Sequence, residues 1–206
     1  MSEMLRLERL LWDLGYTRVG GVDEVGLGPL AGPVVAAAVV FPAGCDELPV
    51  DDSKKLTAAK REALDISIRE KAIAFGIGLV EVEELDAMGV HQAGLEAMRR
   101  AVVAVQPGPD YLLVDARTVP DVSMGQSSYV KADTFVHSVA AASIVAKVYR
   151  DKLMTNMEEA YPGYGFGRHM GYGTAAHMEA LERLGPCEIH RRSFAPVRRS
   201  AEQTVA

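Results

Sequence analysis

Asp23 and Glu24 stand side by side at the edge of an apolar segment and are followed at once by a glycine-dense turn, Gly26-Leu27-Gly28-Pro29. Adjacent carboxylates on a strand point to opposite faces, so both reach one ion only where the strand ends or bulges, and Gly26 and Gly28 permit either. By itself the pair also reads as a solvated acidic turn. Two further acids extend the pattern: Asp115 follows the apolar run Tyr111–Val114, and Asp133 follows Tyr129–Lys131. Either could instead cap a helix, a role that Asp fills well. Four converging carboxylates would repel one another unless divalent cations neutralise them, and carboxylate oxygens suit Mg²⁺ or Mn²⁺. Two such ions about 3.5–4 Å apart activate a water and stabilise the leaving oxygen of an in-line attack on phosphorus, which is hydrolysis without a protein nucleophile. The glycines do not fit a dinucleotide fingerprint, because Gly32 comes one residue late and Pro29 precedes a strand-like run. Their other use is close approach of backbone amides to a sugar or phosphate.

The elements that must position these acids follow from pattern. Met1 to Gly15 carries Arg6, Glu8, Arg9 and Asp13 among leucines, which predicts an amphipathic helix. Strands are expected at Arg18–Asp23, Val34–Phe41, Phe75–Val82, Tyr111–Val114 and Tyr129–Lys131. Helices are expected at Thr57–Ala74 with Thr57 as N-cap, at His91–Val105, at Thr134–Tyr161 and, last, at Thr174–Leu184, closed by Gly185-Pro186. This order describes an α/β protein, a mixed five-stranded sheet flanked by helices with a small helical carboxy-terminal piece. Ligands of open α/β sheets gather at the carboxyl ends of strands, where Asp23, Glu24, Asp115 and Asp133 could meet.

The 206 residues, 49% apolar and 24% charged, suffice for one substantial core. The charged amino terminus excludes a secretory signal core, and no apolar run approaches the roughly 20 residues that span a bilayer, so a cytoplasmic protein without membrane contact is expected. Cys45 and Cys187 stand alone and read as ordinary thiols. The net charge of −6 argues mildly against a nucleic-acid partner. From Gly163 to Ser200, however, arginines at 168, 183, 191, 192, 198 and 199 outnumber glutamates at 179, 182 and 188, making the tail locally basic.

Seven segments in order, GVDEVGLGPLAGPVV, DDSKKL, LLVDA, KAD, AAASIVAKVYRD, YPGYGFGRHMGYGT and HRRSF, resemble ribonuclease HII from Gly20 to Pro196. The resemblance implies the ribonuclease H-like fold, with residues 1–160 as catalytic domain and 161–206 as a helical substrate-binding region. It implies cleavage of the RNA strand of RNA–DNA hybrids, and cleavage 5′ to single ribonucleotides in duplex DNA, leaving 3′-hydroxyl and 5′-phosphate ends. Asp23, Glu24, Asp115 and Asp133 fall on the family's metal-binding positions, with Mn²⁺ or Mg²⁺ as cofactor. Gly26-Leu27-Gly28 matches the segment that reads the 2′-hydroxyl, the group separating RNA from DNA, and Tyr172 matches a tyrosine that packs on the adjacent deoxyribose.

Lys54, Lys55, Arg168, Arg191 and Arg192 are candidate substrate contacts, while Lys147 and Arg150 could contact phosphate or pair with the acids. His91 and His137 read as helix residues without a catalytic role. Two positions depart from the family, Leu27 where Arg is usual and Met170 where Lys is usual. Losing the Arg removes a bidentate phosphate donor, which predicts retained ribonucleotide recognition with weaker binding. Other classes that stay open are a duplex-binding module and a structure-specific DNA nuclease on the same fold; the four acids favour an enzyme, and the sugar reader disfavours the second. A replication clamp is a candidate partner, and a monomer the default state.

Overall fold

An unbroken apolar run such as VVAAAVV has no face for water, so it belongs inside a sheet covered on both sides. The computed structural model, which describes residues 4–204, places it there: Val34–Val40 forms strand β2, buried at every position. β2 pairs antiparallel with β1 (Val19–Val25) and with β3 (Ala74–Val80). On its other side β1 pairs parallel with β4 (Tyr111–Asp115), and β4 parallel with β5 (Gly125–Tyr129). The sheet is therefore mixed and five-stranded, in the order β3-β2-β1-β4-β5.

Two long helices cover it. α4 (Val90–Ala104) lies over β1, β2 and β3 on one face, and α5 (His137–Ala160) over β1 and β2 on the other. Strand alternation divides the core accordingly. Val22, Ala36 and Ala38 meet Ala97 and Ala101 of α4, whereas Val35, Ala37 and Val39 meet Ala140, Ala141 and Ile144 of α5. Both helices rest directly on strand backbone at a glycine. A Cβ at Gly21 would lie 2.0 Å from the Ser138 carbonyl carbon, and one at Gly78 would lie 1.9 Å from the Ala97 oxygen. α2 (Ala58–Lys71) packs on α5 and begins as expected, with the Thr57 hydroxyl accepting the Lys60 N–H. The remaining helices are α1 (Arg6–Asp13), α3 (Val82–Met88), α6 (Phe166–His169), α7 (Ala175–Leu184) and α8 (Ala195–Thr204).

Several expectations need correction. α1 starts at Arg6, and the expected start at Met1 lies outside the described residues. β1 does not end or bulge at the acids but continues in regular register, Asp23 opposite Ala37 and Glu24 opposite Ala36. Its parallel pairing with β4 stops at Val22–Val114, so the acids project past that neighbour without any break in their own strand. β5 occupies 125–129, not 129–131, because an edge strand needs no apolar run: its sequence is GQSSY, and the Gln126 amide exchanges hydrogen bonds with the Val119 backbone. β3 stops at Val80, and α3 takes up the expected end of that strand. α7 is not the last helix, since α8 follows it.

Candidate active site

Beyond Val22, β1 has no partner on the β4 side, and this notch lets side chains from both sheet faces reach one space. Asp23 projects to the α5 face, where it shares a cavity with Ser143. Glu24 projects to the α4 face, its Cγ 3.9 Å from where a Gly94 Cβ would stand. Asp115 ends β4, and its Oδ1 accepts the Ala132 N–H at 2.7 Å. Ala132 begins the 3₁₀ turn Ala132–Thr134 that carries Asp133, entered through Lys131 in the left-handed conformation (φ 62°). The four acids line one cavity of about 160 Å³, together with Ser53, Lys54, Lys131, Ser143, Lys147 and Tyr172.

Gathering these acids perturbs them. Burial, and then the Glu24 charge, hold the Asp23 carboxyl well above the usual range, with Ser143 acting in the opposite direction. Burial and Asp115 push Glu24 to about 7. Burial and Asp115 also raise Asp133. The Glu24 Oε2 is buried with no protein partner. Among the described residues no three carboxylates, histidines or thiols form a preassembled metal cage; these acids share a cavity instead. An all-oxygen donor set whose members repel one another, with one oxygen left over, fits a hard divalent cation.

The other predicted residues divide into two groups. Lys54 lines the cavity, and so does Tyr172, which is 41% exposed. Gly28 faces the Tyr172 ring, a Cβ there falling 3.8 Å from Cε1. Gly26 has φ +98° and no room for a side chain beside the Arg150 guanidinium. Leu27 packs against α4 at Gly94, not into the opening. Lys55 sits outside the cavity and pairs with Asp51 at 3.2 Å. Arg168 lines a separate hollow with Glu158, Glu179 and Arg183. Arg192 is exposed outside the cavity, its backbone N–H donating to Asp86.

Arg191 is a correction. It is fully buried and donates to the carbonyls of Gly26, Leu27 and Gly32, so it holds the glycine loop from within instead of standing at the surface. Arg150 does the same from α5, donating to Ala31, Pro33 and Met170 carbonyls. Met170 carries its side chain into an apolar cluster with Met154 and Phe166. Lys147 pairs with Asp151 at 2.6 Å. His137 is buried, its Nε2 accepting the Leu48 N–H. Sequence reasoning missed Ser53, Ser143 and Lys131, although each lies inside a quoted segment (DDSKKL, AAASIVAKVYRD, KAD). Ser53 and Ser143 hydroxyls are 3.0 Å apart, tying the Lys54 loop to the helix that supports Asp23.

The chain is similar to known proteins in both sequence and fold. A family model described as Ribonuclease HII matches residues 20–197. A ribonuclease HII of Myxococcus xanthus is 52% identical over 199 residues, covering 96% of this chain and 68% of the relative. The ribonuclease H2 of Pyrococcus horikoshii superposes with a TM-score of 0.78 at 27% identity, over 90% of this chain and 98% of that one. A chain from the structure of the PCNA:RNase HII complex of Archaeoglobus fulgidus gives 0.71 at 27% identity, over 86% and 95% respectively.

Proposed function

The chain belongs to the ribonuclease HII family, a ribonuclease H type endonuclease, and from that premise we propose that it cleaves the RNA strand of RNA–DNA hybrids and cuts 5′ to single ribonucleotides in duplex DNA. The products are 3′-hydroxyl and 5′-phosphate ends. The observation that carries this reading is the convergence of Asp23, Glu24, Asp115 and Asp133 on one cavity whose rim bears Lys54, Lys131, Lys147 and Tyr172.

In this reading the four acids hold Mg²⁺ or Mn²⁺, two ions in the catalytic complex. Bound there, the ions lower the pKa of a water and stabilise charge on the leaving oxygen. The rest is done by the chain's own groups. Lys54 faces the scissile phosphate and offsets the repulsion between that phosphate and the acids. The backbone of Gly26-Leu27-Gly28 approaches the 2′-hydroxyl, which a side chain at either glycine would block. Tyr172 lays its ring against the neighbouring sugar. Lys55, Arg168 and Arg192 contact backbone phosphates further along the duplex, where they add affinity without sequence preference. Residues 1–160 form the catalytic part and 161–206 the substrate-binding part. The proposal includes a cytoplasmic monomer, with a sliding clamp as protein partner; the likeness to the Archaeoglobus fulgidus complex supports the clamp.

The test is cleavage of a labelled DNA duplex carrying one ribonucleotide, with Mg²⁺ or Mn²⁺, beside an all-DNA duplex and the Asp115→Asn variant. A single metal-dependent cut 5′ to the ribonucleotide, absent from both controls, is expected. A duplex that is bound but left intact in both metals would overturn the reading.

A further inference from the structure

The tail contains a chain of buried histidines whose proton positions are fixed by their neighbours. The Cys187 backbone N–H donates to His190 Nδ1 at 3.0 Å, so that nitrogen is an acceptor and the proton of His190 sits on Nε2. His190 Nε2 is 3.0 Å from His177 Nε2, which must therefore accept. The His177 proton is left on Nδ1 and donates to the Tyr172 carbonyl at 2.9 Å. Both rings are buried, with relative exposures of 0% and 1%. A second proton on either ring would set N–H against N–H. Burial lowers both, His190 to about 4, in keeping with a neutral chain.

Three hydrogen bonds in one direction thus run from the Cys187–His190 turn to the main chain beneath Tyr172. The next residue, Arg191, faces the opposite wall and gathers the Gly26, Leu27 and Gly32 carbonyls. Backbone bonds join the same pieces, Leu30 N–H to the Gly171 carbonyl at 2.8 Å and Gly32 N–H to the Ile189 carbonyl at 2.8 Å. Consecutive residues therefore anchor the two walls that meet across Gly28 and Tyr172.

We propose that His190 and Arg191 are positioning residues that together set the width of the Gly28–Tyr172 opening, His190 acting through His177 on Tyr172 and Arg191 acting on the glycine loop. The inference rests on the reading that this opening receives a sugar of the substrate. It predicts that loosening one wall weakens binding without disabling the acids.

His190→Leu removes the donor to His177, whereas His190→Gln can replace it. With the single-ribonucleotide duplex, His190→Leu should raise KM roughly ten-fold, the scale of one buried hydrogen bond, and leave kcat within about two-fold. His190→Gln should restore most of the loss. Because His190 acts through Tyr172, adding His190→Leu to Tyr172→Ala should raise KM no further than Tyr172→Ala does alone. Additive effects, or kcat falling in step with the folded fraction measured by circular dichroism, would overturn the inference and leave the function standing. A wild-type KM in Tyr172→Ala would overturn the sugar-contact reading and the inference with it. Where His190→Leu does not fold, His177→Asn, which keeps a donor to Tyr172, and His177→Leu, which does not, give the same comparison: a higher KM in the second alone supports the inference, and equal KM values overturn it.

Discussion

Burial and the neighbouring Asp115 push the Glu24 carboxyl from 4.5 to about 7, so the folded metal-free protein keeps a proton that the unfolded chain gives up at lower pH. A carboxyl raised on folding contributes stability that is complete below about 4.5 and is lost as pH rises through 7. Glu24→Gln never ionises. In a chelating buffer at pH 8 it should be more stable than the wild type by roughly 2–3 kcal/mol, a difference that shrinks to nothing near pH 4.5. Thermal unfolding at the two pH values checks this, and equal melting temperatures at pH 8 would contradict it. At this scale Asp23, Glu24 and Asp115 were legible because each stands at or just past an apolar strand signal, whereas Asp133 rides a 3₁₀ turn beyond a polar edge strand. The arginines were less so: Arg191 and Arg192 look alike in sequence, yet one is buried on three carbonyls and the other exposed. Charge type is written in the chain, and burial is a property of what folds around it.

Two glycines decide how close the covering helices come to the sheet. At Gly21 the α5 backbone occupies the place of a side chain, and a Cβ would fall 2.0 Å from the Ser138 carbonyl carbon. Neither a strand at the centre of the sheet nor a 24-residue helix can yield by that distance. Gly21→Ala should therefore cost about 3 kcal/mol or more, or prevent folding, as read from urea midpoints or from soluble yield. A variant within about 0.5 kcal/mol of wild type would refute the packing account. Continuous apolar runs made β2 and β4 readable, and alternating small residues made α5 readable. β5 was expected but set too late in the chain, because its edge position lets a polar sequence pair, and α8 was missed because its apolar signal, Val197 buried among polar neighbours, is too sparse to stand out.

At the scale of the whole molecule, two guanidinium groups tie α5 and the tail to the glycine loop. Arg150 from α5 and Arg191 from the tail converge on the segment 26–33, bonding carbonyls that would otherwise be buried without donors. A lysine offers a point charge where Arg191 offers a planar fork. Arg191→Lys should lower stability by about 2–4 kcal/mol. It should also speed amide exchange in residues 26–33 more than in α4, measured by hydrogen–deuterium exchange; uniform exchange across both would argue against a local strut. The order of these groups along the chain has a consequence during synthesis. Every acid of the cavity has left the ribosome once residue 133 has emerged, but the loop beside them is braced only from 150 and 191. A nascent product that has reached 133 but not 191 thus carries all four carboxylates without the full grip on the glycine loop beside them.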